Sequence, residues 1–203
     1  MANSSRFKAL QTRVGELRNR FLPASFSQSG NYSPTELDNA RAFRVLVHAE
    51  IEHFFEERAL DIADRAFDLL KTRARVSRPI VHLLSNIVGD QHGLPSKLGT
   101  QVTPLSVTGK VVAQYKHGIA KNNGIRVPNI LQILLPIGVL EAEIDNVWLS
   151  TTDGFGAKRG ATAHSSSIMY TIDPQDEFQT VNQIMAGVQD LDILLNQIKH
   201  KLR

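Results

Sequence analysis

Residues 33–75 read SPTELDNARAFRVLVHAEIEHFFEERALDIADRAFDLLKTRAR. Ser33 is an N-cap type, Pro34 suits the first helical position, and Glu36 stands where a capping box needs an acid. Phe43, Val47, Ile51, Phe54, Ile62 and Leu69 then recur at helical spacing. Neither Gly nor Pro interrupts the pattern before Pro79. The stretch therefore predicts a long helix ending near Arg75, as one rod or as two pieces with a bend.

The flanks repeat the same pattern. Phe7, Leu10, Val14, Leu17 and Phe21 form an amphipathic stripe that Pro23 ends, and Ser25–Ser33 is a polar loop. Downstream, Ile80–Val88 reads as a helix. Residues 89–106 hold Gly89, Gly93, Pro95, Gly99 and Pro104 and read as a loop of unusual length. Val107–Lys121 is a further helix stopped by Asn122-Asn123-Gly124. A short helix starts at Pro128, limited by Pro136 and Gly138. Leu140–Ser150 looks helical, with Trp148 as core, and Thr152-Asp153-Gly154 reads as a break. Asp173-Pro174 opens a final helix, striped by Phe178, Val181, Ile184, Val188, Leu191, Leu195, Ile198 and Leu202. No segment alternates as a strand would, and no internal repeat is present. The expected fold is all-α: a single helical-bundle domain over residues 1–203, with a basic helix over 1–22 and a long C-terminal helix.

Composition narrows the setting. The 203 residues, 42% hydrophobic and 21% charged, suffice for a core without disulfides or metal. The absence of cysteine excludes thiolate metal sites and a cysteine nucleophile, and fits a reducing cytoplasm. The N-terminal MANSSRFKALQTRVGELRNRF has no apolar signal region. The longest apolar run, Ile130–Leu140, falls far short of the roughly 20 residues a membrane span needs. Net charge is +3, and both ends are basic: Arg6, Lys8, Arg13, Arg18 and Arg20 at one, Lys199-His200-Lys201-Leu202-Arg203 at the other. These are either phosphate-contacting surfaces or ordinary solvated helix faces.

The chemistry-bearing segment is Gly156-Ala157-Lys158-Arg159-Gly160-Ala161-Thr162-Ala163-His164-Ser165. Arg159 and His164 stand five positions apart among small residues. On a continuous helix five steps turn about 500°, leaving the two about 140° apart. Gly160 offers a way round this, by letting the helix begin after Arg159. Such a pair suits phosphodiester transfer. A histidine moves the proton of a ribose 2′-OH or of the leaving oxygen near neutral pH, and an arginine grips the phosphate with two parallel hydrogen bonds. The bland alternative is a surface arginine and a histidine satisfied within the bundle. Arg44, His48, Glu52 and Glu56 form a second pattern, spaced by four along the long helix. It is either an intrahelical charge ladder or a set in which Glu52 or Glu56 orients Arg159 or His164.

Arg159-x4-His164 ahead of a long C-terminal helix resembles the R-x4-6-H motif of the HEPN superfamily. More narrowly, the chain resembles the RiboL-PSP-HEPN family. The likeness rests on His48-Ala49-Glu50-Ile51-Glu52-His53-Phe54-Phe55-Glu56, on Asn122-Asn123-Gly124-Ile125 with Pro136-Ile137-Gly138, and on Arg159-Gly160-x-x-Ala163-His164, in that order. It implies a HEPN-like bundle that homodimerises, so that two motifs face each other as a metal-independent endoribonuclease. RNA is then the substrate, and the setting a toxin–antitoxin or phage-defence system with an antitoxin as further partner. The implied catalytic set is Arg159, His164 and Glu52. Two positions depart from the family: Gly160 follows the arginine where a polar residue is frequent, and Ser166 stands where some relatives carry a modifiable tyrosine. The Gly160 departure keeps open a non-catalytic interaction or RNA-binding module. No cofactor is expected, because Gly154-x-Gly156-x-x-x-Gly160 lacks both the spacing and the strand of a dinucleotide fingerprint. No metal is expected either: His82, His92, His117 and His200 have no ligand spacing.

Overall fold

The computed structural model describes residues 2–89, 103–164 and 172–202, with backbone only at 87–89 and 160–164. Among them are seven α-helices and no strand. They are α1 (Ser5–Phe21), α2 (Pro34–Arg73), α3 (Arg78–Gly89), α4 (Pro104–Ala120), α5 (Val127–Leu134), α6 (Asn146–His164) and α7 (Pro174–His200). Two single 3₁₀ turns, Leu135–Ile137 and Glu141–Glu143, lie between α5 and α6. The expected all-α fold is the fold found.

The segment 33–75 forms one uninterrupted helix of 40 residues, about 60 Å long. The Ser33 amide donates to Glu36 Oε2 at 2.8 Å while Ser33 Oγ accepts from the Glu36 amide at 3.3 Å, the reciprocal capping box read from the sequence. At the other end Ala74 turns left-handed (φ 51°), and its amide returns to Leu70 O at 3.1 Å.

This rod is the axis of the molecule. α1 and α7 pack on it from one direction, and α3, α4, α5 and α6 from others. Phe43, Val47, Ile51, Phe55, Ala59 and Ile62 of α2 are completely buried as a result, each large side chain contributing about 1.5–3 kcal/mol. Aromatic edges chain across it: Phe7 of α1 meets Phe54, Phe54 meets Phe55, and Phe55 meets Trp148 of α6, at centroid distances of 6.3, 5.3 and 6.0 Å.

Two buried ionic ties fix α7 to α2. Arg44 holds Glu177 through two parallel hydrogen bonds of 2.8 and 2.5 Å. Arg58 lies 3.2 Å from Asp192, whose oxygens also accept from the Ser4 amide and hydroxyl, both at 2.7 Å. The start of α1 is thereby bound to α7. Trp148 hooks α6 onto α7, donating from Nε1 to Ile184 O at 2.9 Å and lying against Gly187.

Four sequence expectations are revised. Thr152-Asp153-Gly154 does not break the chain, and Gly160 does not begin a helix: α6 runs through both. Thr152 Oγ1 donates back to Trp148 O at 2.8 Å, a bond made without leaving the helix, and Asp153 is occupied with residues outside it. The helix expected over Leu140–Ser150 starts only at Asn146, after a 3₁₀ turn. α4 begins at Pro104, because Thr103 Oγ1 caps the Ser106 amide at 3.1 Å. Of the long loop expected over 89–106, residues 90–102 lie outside the described residues.

Candidate functional site

The middle of α2 turns a polar edge toward the α4–α5 connection and α6. Four-residue spacing puts His48, Glu52 and Glu56 in line along it. Glu52 and Glu56 are received by the Asn122–Gly124 turn. Asn122 Nδ2 donates to Glu52 Oε1 at 3.2 Å, to Glu56 Oε1 at 3.0 Å and to Gly124 O at 3.0 Å, while its own Oδ1 accepts from Asn129 Nδ2 at 2.9 Å. The Gly124 amide also donates to Glu52 Oε1. One asparagine thus clamps two carboxylates of the rod and is itself held by the start of α5. Gly124 has φ +136°, a backbone conformation that side chains rarely adopt, so the turn requires glycine here.

His48 is 1% exposed. Its Nδ1 lies 3.7 Å from Glu52 Oε2 and makes no hydrogen bond among the described residues. The ring stacks on Phe155 of α6 at 6.4 Å, with 23° between planes. Gly124 and Gly156 lie beside it: a Cβ on either would fall 3.8 Å from His48 Nε2, an ordinary contact distance. Burial, with the positive charge of Arg159 as second cause, lowers the His48 pKa to about 4, so the ring is neutral at pH 7. Burial raises the Glu52 pKa, helped by Glu56, while the Gly124 amide and Arg159 draw it down.

Arg159 follows Phe155 by four residues, so one face of α6 carries both toward α2. It is half-buried, its charge bears on both His48 and Glu52, and its buried Nε has no hydrogen-bond partner among the described residues. The hydrogen bonds of Glu52 go to Asn122 and Gly124. Toward Arg159 Glu52 therefore acts through space as a neighbouring charge. The backbone of position 164 continues the same helix, about 140° round the axis from 159. The side chain of His164, and Ser165 and Ser166 after it, lie outside the described residues.

Asp153 locks the rim of this site. It accepts from Arg126 Nε and Nη2 at 3.2 and 3.1 Å and from the Val127 amide at 3.0 Å, tying the start of α5 to α6. The Arg126 guanidinium holds the Asp153 carboxyl below its usual range. Arg126 Cγ rests on Gly156, where a Cβ would approach to 3.0 Å.

Sequence reasoning anticipated Arg159 and Glu52 in one neighbourhood but took Asn122 as a helix stop and Asp153 as part of a break. Asn122 also stood in the Asn122-Asn123-Gly124-Ile125 segment that carried the family likeness, but local rules assigned the roles of both residues to chain geometry. Among the described residues no group of three His, Asp or Glu side chains is arranged to hold a metal ion, and no helix is long and apolar enough to cross a membrane. No protein-family model, no curated protein and no solved structure matches this chain.

Proposed function

We propose that this protein is an endoribonuclease of the HEPN kind, acting as a homodimer and cutting RNA without a metal ion. The observation that carries the reading is the placement of Arg159: a cation half-buried beside neutral His48 and the Glu52 carboxylate, with Nε left unbonded. A half-buried guanidinium beside these groups can turn its outer N–H groups to a phosphate. In the proposed reaction the ribose 2′-OH attacks the adjacent phosphorus. His164 takes or returns the proton, and Arg159 stabilises the charge that accumulates on the phosphate oxygens. The 5′-oxygen leaves with a proton, and the remaining end is a 2′,3′-cyclic phosphate. Glu52, fixed by the Asn122–Gly124 turn, and His48 set the electrostatic surroundings of Arg159 as positioning residues. The biological setting we assign is a toxin or phage-defence effector in the cytoplasm, restrained by an antitoxin.

A second reading, a non-catalytic interaction or RNA-binding module, is favoured by one observation. Within one chain, positions 159 and 164 do not share a helix face. The endoribonuclease reading meets this by bringing two copies together.

Incubating the purified chain with total RNA, with and without EDTA, tests both. Cleavage is expected to be insensitive to EDTA. His164→Ala should lower it about 10²–10⁴-fold, and Arg159→Lys severely, because lysine lacks the planar fork. Growth arrest on expression should vanish with His164→Ala. Equal cutting by both variants would show that the site is misassigned. Inactivity of the wild type on every RNA, with no effect on growth, would establish the interaction module instead.

A further inference from the structure

A polar cavity lies between α1, α2 and α7, lined on α2 by Arg58 and Arg65 and not by the His48–Glu56 edge. Its volume is about 470 Å³, within the range of small-ligand sites. Five basic side chains line it: Arg6 from α1, Arg58 and Arg65 from α2, and Lys199 and His200 from the end of α7. Among the described residues no carboxylate lines it. The acids nearby already pair with lining cations. Glu57 pairs with Arg6, Asp61 with Lys199 at 2.6 Å, and Asp192 is shared between Arg58 and the hydrogen bonds of Ser4. Arg65 is exposed and has no acid partner among the described residues.

The deepest cation is the most informative. Arg58 is 2% exposed and lines the cavity. One of its nitrogens bonds Asn196 Oδ1 at 2.7 Å, but its Nε makes no hydrogen bond despite the 3.2 Å approach to Asp192. Asp61 stands 3.9 Å away. Asp192 and Asn196 thus hold Arg58 in place as a fixed positive charge at the back of the cavity. The amides of Ser5 and Arg6, in the first turn of α1, also have no partner within their helix. Their helix end adds positive potential on the same side.

We propose that this cavity is a phosphate-binding site that seats a phosphate of RNA away from the cutting centre. The assignment of RNA rests on the function proposed above; the assignment of phosphate does not. Phosphate is the chemistry these residues suit: several fixed cations around one small anion, with a buried arginine at the back. Arg6 of the basic N-terminal helix and Lys199 and His200 of the basic C-terminal run meet here, so residues from the two ends of the chain share one site.

The test uses the full chain, with Arg65→Glu as the variant and Lys110→Glu on α4 as the charge control. Arg65 is exposed, so its replacement spares the fold. Inorganic phosphate should raise the Tm of the wild type and of Lys110→Glu and leave Arg65→Glu unmoved. In a His164→Ala background, which prevents cutting, Arg65→Glu should weaken binding of a short single-stranded RNA about tenfold. Loss confined to a 5′-phosphorylated RNA identifies a terminal phosphate as ligand; equal loss with a 5′-hydroxyl RNA identifies the backbone. A phosphate response that is the same in all three proteins overturns the site, even if RNA is cut. A phosphate response lost in Arg65→Glu, with RNA affinity unchanged, overturns the assignment to RNA. A wild type that responds to phosphate through Arg65 and cuts no RNA supports the pocket and removes the endoribonuclease.

Discussion

His48 is the residue whose environment has the plainest measurable consequence. With its pKa lowered to about 4 by burial and by Arg159, the folded protein binds fewer protons at this ring than the unfolded chain does between pH 4 and 6.5. Stability therefore rises with pH across that window and falls as the solution is acidified through it, by about 3 kcal/mol in all. Glu52 works in the opposite sense over its own window, because its pKa is raised: protonation favours the folded state there. Thermal melts of wild type and His48→Gln from pH 4 to pH 7 separate the two. The wild type should lose Tm on acidification more steeply than the variant, and parallel curves would show that His48 is not neutral in the fold. None of this was readable at the residue scale from sequence. Spacing put His48 on a ladder with Glu52, but its burial is made by segments far along the chain, the Gly124 turn and Phe155 and Gly156 of α6.

At the scale of elements, legibility followed the caps. α2 and α7 open on Ser33-Pro34 and Asp173-Pro174, signals that act within four residues, and both were legible. α6 was not. Its Asp153 and Gly154 are poor helix formers locally, and what overrides them is tertiary: Asp153 anchors α5, and Trp148 anchors α7. The contact between Trp148 and Gly187 makes the second anchor testable. A Cβ at 187 would fall 2.1 Å from the indole, so one of them must move. Gly187→Ala should destabilise by about 1–3 kcal/mol through overpacking, despite the better helix propensity of alanine. The measurement is chemical denaturation followed by tryptophan fluorescence; since Trp148 is the one tryptophan, the native emission itself should shift. An unchanged midpoint and spectrum would mean that α6 and α7 are not held by this contact.

For the whole molecule, the sequence carried the fold class and the order of helices, because period and caps are local. It did not carry which charges meet across the bundle: Arg44 with Glu177, or Arg58 with Asp192, pairs more than 130 residues apart. The proposed dimer belongs to this scale too. Light scattering at tens of micromolar, a range chosen as roughly that of a stable homodimer assay, should give twice the mass of the 22.5 kDa chain. A single-chain mass would count against a site built from two copies.

The two buried arginines of α2 also bear on the order of events at the ribosome. Their acids, Glu177 and Asp192, both lie in α7, the last of the described helices to be synthesised. Until that segment emerges, the face of α2 that α7 covers lacks both its apolar partners and these two acids. The nascent chain should therefore stay open while α1 to α6 are being made, with the Arg159 edge unassembled. A chain truncated after residue 172 should accordingly lack cooperative unfolding and yield rapidly to protease, whereas a compact, protease-resistant fragment would mean that the bundle closes without its final helix. If the proposed toxicity is real, the half-made protein would be harmless to the cell that is translating it.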